Sequence, residues 1–368
     1  MQNHRTACAA IARGDLAALR TAIAREPSAA THWKPIVDAA FAGRGDMVEL
    51  LLGAGADPNV VSGTGSRHTP VTRIVQYHST IPRHVGHVQA LRVLLSEGAD
   101  PNLAAGPDEL PPLAYAAVGP SPQFLDVLAD SGARIDTHGA AALLDEGRLA
   151  LALGTSAEAN GRDGRGRTPL HYVAWSGFWK SLGSVAAIRS ADLLLDAGAD
   201  VDAAEQIDEG GEIFTATPLW RTLSSQRNYD LAEYFLDRGA DPSPAVFAVT
   251  FAEGGRQGTR GCDLLDRFGA DWEQTFHGRT PLMDLMYFKK PAASAWLIAR
   301  GVDVNATDPK GRAALHFAAM RGVRAEVVEA LLNAGADPAI RDDADKTPYD
   351  HAAENNRDKL LDLLRPAP

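Results

Sequence analysis

A phrase of two apolar residues, two variable residues and Gly-Ala-Asp recurs along this 368-residue chain and constrains its fold more than any other feature. It reads LLGAGAD at 51–57 and LLNAGAD at 331–337, and a degenerate copy at 151–160 fills the one double-length interval. A period of about 30 to 43 residues is the signature of a repeat architecture, in which each unit buries its apolar face against its neighbours. The glycines of the phrase are Gly55, Gly98, Gly132, Gly198, Gly239, Gly269, Gly301 and Gly335.

A second phrase, Thr-Pro-Leu-His, precedes the first in each period. It is most complete at 168–177 and at 313–322, and weaker copies begin at Lys34, Thr69, Pro111, Thr217, Thr280 and Thr347. Threonine is a good helix N-cap, and proline suits the first helical turn, where its missing N–H costs nothing. Glycine after the leucine pair fits the left-handed end of a helix. The two phrases therefore predict a pair of helices in each period.

Together the two phrases resemble the ankyrin repeat over nearly the whole chain. The resemblance implies an all-α solenoid of stacked helix-turn-helix repeats with turn or hairpin fingers. We expect a single array over residues 1–368, with about 11 repeats including two caps. The expected repeats span 6–30 (N-terminal cap), 34–59, 69–102, 111–136, 137–160, 168–202, 217–243, 244–273, 280–305, 313–339 and 347–364 (C-terminal cap).

Four segments are longer than the repeat allows, at 78–87, 176–190, 203–216 and 253–261. In repeat proteins such insertions lie in loops on one face and often mark the binding face, although added loop length alone costs little. The segment 203–216 is acidic with an apolar base. It is either a charged arm that steers a basic partner or a solvated flexible loop.

Composition excludes several classes of protein. The net charge of −11 argues against nucleic acid as a ligand and suits a basic protein partner. Two cysteines exclude a disulfide framework, and no stretch approaches 18 apolar residues, so we expect no membrane span. The first residues lack a signal-peptide pattern. We expect a cytoplasmic protein that is a monomer on its own.

The candidate chemical groups favour structural roles. The resemblance implies that His171 and His316 hydrogen-bond the backbone between neighbouring turns. The segment 161–169 is glycine-rich but lacks the Gly-Lys-Ser/Thr ending of a phosphate loop, and it falls on the turn before a repeat. Cys8 and Cys262 lie among small apolar residues and are expected to be buried thiols.

A histidine cluster leaves a metal site open as an alternative. His84 and His87 are three residues apart, but Pro82 and Gly86 favour a solvated loop, and no carboxylate or thiol accompanies them at ligand spacing. We therefore predict no metal and no cofactor. The full cluster consists of His68, His78, His84 and His87.

Partner-binding residues follow from the resemblance, which implies that the first helix of each repeat lines the binding groove. Positions one and four after the histidine share a helical face and are expected to point outward. Large apolar and arginine side chains there are typical of protein interfaces. The predicted partner-binding residues are Tyr115, Tyr172, Trp175, Phe178, Trp179, Arg221, Tyr287, Phe317 and Met320. Alternatively, Phe178 and Trp179 pack their own insertion onto the scaffold.

These observations favour a non-enzymatic scaffold that binds a protein partner. The alanine- and arginine-rich composition suggests a bacterial source. An immunity or inhibitor protein that masks a toxin fits the acidic balance, and a secreted effector that engages host proteins is the alternative. An enzyme regulator, and an enzyme or metal-binding protein, also stay open as other classes, because fold alone does not determine function.

Overall fold

A computed structural model describes residues 4–63, 67–76, 85–107, 109–118, 121–209, 212–253 and 258–365. The chain divides into two compact units, residues 1–200 and 201–368. The helices of the first unit are Arg5–Arg13, Leu16–Arg25, Ser28–Thr31, Trp33–Phe41, Gly45–Gly53, Pro70–Val75, Val85–Ser96, Pro112–Val118, Pro122–Asp130, Thr137–Leu143, Glu146–Ala152, Ser156–Ala159, Pro169–Trp175, Trp179–Leu182 and Ser184–Asp196.

The second unit contains further helices and one antiparallel hairpin of two strands, Glu205–Glu209 and Glu212–Ala216. A π-helical turn at Thr222–Gln226 directly follows the helix Pro218–Arg221. The helices are Pro218–Arg221, Tyr229–Asp237, Ala245–Glu253, Arg260–Arg267, Pro281–Tyr287, Pro291–Ala299, Ala314–Arg321, Ala325–Asn333, Pro348–Glu354 and Asp358–Leu364. The all-α repeat fold expected from the sequence is confirmed, with the hairpin as a small addition.

Threonine starts the first helix of several repeats, as predicted. The Thr69 hydroxyl accepts the Thr72 N–H at 3.1 Å, and the Thr347 hydroxyl accepts the Asp350 N–H at 3.3 Å. Proline occupies the next position in both helices. At Thr168 the cap is completed by His171, whose Nδ1 accepts the Thr168 N–H at 3.1 Å. These contacts satisfy backbone donors that the first helical turn leaves without a partner.

Glycine ends the second helix of a repeat in a left-handed conformation. Gly55 has a φ of 91° and Gly335 a φ of 92°. The following N–H turns back to the helix, with Ala56 N–H donating to Leu51 O at 3.0 Å and Ala336 N–H to Leu331 O at 3.0 Å. A Cβ is disfavoured at this backbone angle, which explains why the phrase keeps its glycine.

Asparagine side chains tie successive repeats together just beyond these glycines. The Asn305 amide donates to Gly335 O at 2.9 Å, and its oxygen accepts the Asp337 N–H at 2.8 Å. Each such side chain satisfies one carbonyl and one N–H of the next repeat, so neighbouring repeats share a fixed register. The same two-way bridge is made by Asn59, Asn102 and Asn160.

Strands Glu205–Glu209 and Glu212–Ala216 pair as a β-hairpin within segment 203–216, which contradicts the alternative of a flexible loop along these strands. Ile207 pairs with Phe214 in the strand register, and the Phe214 ring stacks on Phe247 at 5.0 Å between centroids. Side chains alternate between the two faces of each strand, so residues such as Phe214 pack against the helices. Glu205 is 3% exposed and accepts from Arg221 Nε at 2.5 Å. Glu205 is therefore an anchor and not part of a charged arm.

The other insertions are described in part. Segment 176–190 adds the short helix Trp179–Leu182 and the start of helix Ser184–Asp196. It is fastened by Ser176, whose hydroxyl donates to Ala142 O at 2.7 Å. Residues 77–84 and 254–257 lie outside the described residues, so most of the insertion at 78–87 and part of that at 253–261 stay predictions. The single array and its repeat boundaries also stay predictions.

Candidate partner-binding surfaces

Most of the aromatic side chains predicted to face outward are buried. Tyr115, Tyr172 and Trp175 are 0%, 1% and 3% exposed, and Phe317 is 2% exposed. The prediction of an outward orientation is wrong for these residues because their helices are short and other parts of the chain cover the positions that they occupy. Every residue of helix Pro169–Trp175 is buried. Such a helix has no free face on which a groove residue could stand.

Tyr172 belongs to a buried polar cluster in the first unit. Its hydroxyl donates to Asp163 Oδ2 at 2.7 Å, and Arg167 Nε donates to the same oxygen at 2.7 Å. Burial by itself would raise the pKa of Asp163, but Arg167 and the Tyr172 hydroxyl outweigh that effect and hold it below its ordinary value. Burial beside this carboxylate raises the pKa of Tyr172. Tyr172 is therefore a structural phenol.

Arginine also covers the aromatic rings from above. The Arg167 guanidinium lies 5.6 Å from the Tyr172 ring and 5.7 Å from the Trp175 ring, and only 2% of its side chain is exposed. Phe317 is covered in the same way by Arg312 at 4.8 Å, which is itself held by Asp308. The arginine that precedes Thr-Pro-Leu-His thus shields the ring five positions later and excludes solvent.

The predicted residues Phe178, Trp179 and Arg221 are also largely engaged within the chain. Phe178 is 8% exposed, which agrees with the alternative that it packs its own insertion onto the scaffold. Trp179 is half-buried, and its Nε1 has no hydrogen-bond partner among the described residues. The Arg221 side chain in the second unit is 11% exposed and is held by Glu205. The expectation of an outward Arg221 is wrong.

Tyr287 and Met320 keep part of their surface free. Tyr287 is 36% exposed, and Met320 is half-buried. The guanidinium of Arg321 lies 4.6 Å from the Tyr287 ring, and Arg321 Nε donates to Tyr287 O at 3.0 Å. The Arg279 guanidinium lies 5.5 Å from the same ring. A role for Tyr287 and Met320 in binding a partner stays a prediction.

An exposed aspartate follows the Gly-Ala turn of successive repeats. In Asp57 and Asp337 one carboxylate oxygen accepts the N–H two residues later, at 2.8 Å in both. This hydrogen bond fixes the conformation of the charged side chain at the surface. The recurring Asp of the Gly-Ala-Asp phrase was the sequence signal for this row, although the phrase alone did not assign it a role in binding. The exposed aspartates of this row are Asp57, Asp100, Asp200, Asp241, Asp271, Asp303 and Asp337.

The candidate histidines that the structure describes are engaged by neighbouring backbone or side-chain groups. His316 Nε2 lies 3.2 Å from Lys346 O in the next repeat, which confirms the structural role predicted for it. His87 Nε2 lies 3.1 Å from Phe41 O, and His68 Nδ1 lies 3.2 Å from the Thr72 hydroxyl. His78 and His84 lie outside the described residues. The described residues contain no group of His, Cys, Asp and Glu side chains arranged to hold a metal ion.

The environments of the two cysteines and of the glycine-rich turn at 161–169 are typical of structural residues. Cys262 is fully buried, and Cys8 is half-buried. Burial and the neighbouring Asp38 carboxylate raise the pKa of Cys8 to about 12, the opposite of what a nucleophile needs. In the glycine-rich segment, Asp163 Oδ1 accepts the backbone N–H groups of Arg165 and Arg167. These bonds form the turn that was predicted to precede the repeat. No helix in the described ranges is both long and apolar enough to cross a bilayer.

Comparisons with known proteins agree on one family. Residues 282–367 match ankyrin repeats in three copies, and residues 32–63 and 165–206 each match an ankyrin repeat. The chain is 39% identical over 72 residues to an ankyrin repeat protein of Acanthamoeba polyphaga mimivirus, a match that covers 20% of this chain and 10% of that protein. It is 35% identical over 106 residues to the human ankyrin repeat domain-containing protein 63, covering 28% of this chain and 27% of that protein. The matches thus span about a tenth and about a quarter of these relatives.

Proposed function

Because the chain is an ankyrin-repeat protein, we propose that it is a non-enzymatic scaffold that binds a protein partner. The observation that carries this proposal is the row of exposed aspartates, which occupy corresponding positions in seven repeats, three of them in the first unit and four in the second. A repeated surface group on a packed frame suits an extended macromolecule, which can engage several repeats together. A small molecule would instead need polar groups that converge on one pocket.

The aspartate row favours a basic partner. Each aspartate of the row is exposed, and the whole chain carries a net charge of −11. Summed over several repeats, such charges steer a positively charged protein toward the surface and raise its association rate, an effect that salt weakens. Lysine and arginine residues of the partner would meet the Oδ2 atoms of aspartates such as Asp303 and Asp337, whose Oδ1 accepts the turn N–H.

Within this class, we favour an inhibitor or immunity protein of a bacterial cytoplasm, monomeric on its own, that masks a basic toxin. The acidic balance of the chain supports this form of the proposal, since a tightly bound acidic scaffold neutralises a basic surface. Recovery of a basic protein of the same cell supports it. Recovery of proteins only from a foreign host cell would favour a secreted effector.

Capture of partners from native lysate tests the proposal. The chain is immobilised beside a double variant, Asp303→Asn with Asp337→Asn, in which the retained Oδ1 still accepts the turn N–H. A control of equal charge change carries Glu49→Gln and Glu329→Gln, two exposed glutamates outside the row. We expect a basic protein that binds the parent chain and the control, is lost at about 0.5 M salt, and binds the row variant more weakly. Capture that is indifferent to salt and to the row variant contradicts the proposal.

A further inference from the structure

The turns that join the two helices of the last three repeats form a basic strip on this acidic protein. They carry Lys289, Lys290, Arg321, Arg324, Arg357 and Lys359. Two helices that run back on each other place this turn and the Gly-Ala-Asp turn at opposite ends of the pair. The strip is therefore distinct from the aspartate row.

Five of these cations lack a carboxylate partner in the described part of the chain: Lys289, Arg321, Arg324, Arg357 and Lys359. The acidic residues of the same turns do not neutralise them. Glu354 is bound to Lys346 at 2.7 Å, while Glu326 and Asp358 are exposed at the starts of the second helices. The strip thus keeps an excess of positive charge that an acidic ligand could meet.

Two cavities flank Arg324, and both have apolar floors. One of about 450 Å³ lies between the turns of the last two repeats, where Val323 and Leu360 are 7% and 3% exposed. Three cations, Arg324, Arg357 and Lys359, line it together with one carboxylate, Asp358. The other, of about 310 Å³, runs past Pro291 and Val327 between second helices. A cation that stands between two apolar hollows suits a peptide that alternates acidic and apolar side chains.

Beside the larger cavity lie hydrogen-bond donors that no described residue uses. The Nε of Arg357 is buried and has no hydrogen-bond partner among the described residues. One Nη of the same group reaches Met320 O only at 3.5 Å. No side chain caps the start of helix Ala325–Asn333, and its first residue, Ala325, lines this cavity. A carboxylate at the start of this helix would be favoured by the positive end of the helix dipole and by the unused backbone N–H groups.

We propose that this basic strip is a docking surface for an acidic peptide segment of a protein partner, with Arg324 and Lys359 at its centre. The proposal rests on the proposed function, in that the ligand belongs to a protein, but it concerns a different surface and ligands of opposite charge. One carboxylate meets Arg324 and Lys359, and an adjacent apolar side chain enters the hollow over Val323 and Leu360.

The test uses the full-length chain and a fluorescent synthetic peptide that alternates Glu with Ser and carries one central Leu. Fluorescence anisotropy compares the parent chain with Arg324→Glu plus Lys359→Glu. The control is Arg134→Glu plus Lys310→Glu, exposed cations elsewhere with the same change in net charge. Circular dichroism confirms that each variant keeps its helix content.

We expect the strip variant to lose about tenfold or more in affinity, because two attractions become repulsions, and the control to stay within about twofold. Binding should weaken between about 0.05 and 0.3 M salt, and the Gln counterpart of the peptide should not bind. Equal loss in the two variants, equal binding of the Gln peptide, or full competition by millimolar inorganic phosphate would each overturn the proposal. Because this assay needs no natural partner, it can fail while capture on the aspartate row succeeds, and the reverse also holds.

Discussion

The Tyr172 hydroxyl offers the sharpest perturbation of the buried polar cluster. Tyr172→Phe removes one hydrogen bond of 2.7 Å to Asp163 and keeps the ring that packs under Arg167. A hydrogen bond to a charged group contributes about 1.5–3 kcal/mol. Asp163 retains its bond to Arg167 Nε and two backbone N–H donors, so we expect the lower value, a loss of about 1.5 kcal/mol in the free energy of unfolding.

The effect should also depend on pH in a defined direction. The pKa of Asp163 is lowered in the folded protein, so its stabilising contribution is present above the unfolded value of about 4 and is lost as pH falls through the folded pKa. The difference between parent and Tyr172→Phe is therefore full at pH 7 and narrows in acid. Urea unfolding followed by circular dichroism at several pH values measures it.

A matched tyrosine controls for the loss of a hydroxyl. Tyr349 is half-buried, and its hydroxyl makes no hydrogen bond to a described residue, so Tyr349→Phe should change stability by less than about 0.5 kcal/mol. If Tyr172→Phe is as stable as the parent chain, or if its deficit is the same at pH 7 and in acid, the charged cluster does not stabilise the fold in the way described.

Three further predictions concern the repeats and the thiols. Gly335→Ala should destabilise the fold by about 1 kcal/mol, and the cause would be the φ of 92° alone, because a Cβ there meets no atom within 4 Å. Gly53 lies in a helix and is equally open, so Gly53→Ala should be neutral or stabilising. Thermal unfolding of both variants separates these outcomes. Asn305→Ala removes two bonds between repeats, so urea unfolding should show a loss of about 1–2 kcal/mol and hydrogen exchange should quicken at Asp337; unchanged exchange would contradict the bridge. With its pKa near 12, Cys8 should react with a thiol reagent at pH 8 about a thousandfold more slowly than an ordinary cysteine, and Asp38→Asn should speed the reaction; rapid labelling of the folded parent would refute the assignment.

The sequence predicts the local framework of this protein well because its determinants are local. A threonine cap, the proline after it and a left-handed glycine act within one turn of backbone, as Thr69, Thr347 and Gly335 show. The role of His316 is also predictable, since its position in the phrase determines which carbonyl it reaches. Periodicity therefore identified the helix pairs and the family before any coordinates.

The exposure of the first-helix aromatics could not be predicted in the same way. Whether Tyr172 faces solvent depends on Arg167, which folds over its ring, and on the helices packed around it. Helical spacing identifies residues that share a face but does not reveal what covers that face. Hairpin fingers were expected in general, but the strands at 205–216 were not assigned because they are short and because their anchors, Glu205 to Arg221 and Phe214 to Phe247, join residues distant in sequence.

The net charge of the whole chain does not reveal its two charged surfaces. A net charge of −11 describes the whole chain, yet the aspartate row and the basic strip separate its two signs. The signal was present in the repeated Gly-Ala-Asp phrase and in basic residues such as Arg324 and Lys359 that lie between helices. Charge counted by position within the repeat, instead of over the whole chain, would have found both surfaces.

Hydrogen exchange of the chain with and without its captured partner tests the central claim most directly, namely that repeated turns of successive ankyrin repeats form the binding surface. The account predicts new protection at corresponding turns of several consecutive repeats, including the turn at Asp303 and the turn at Asp337. Protection confined to a single pocket within one repeat, with the other turns unchanged, would contradict it.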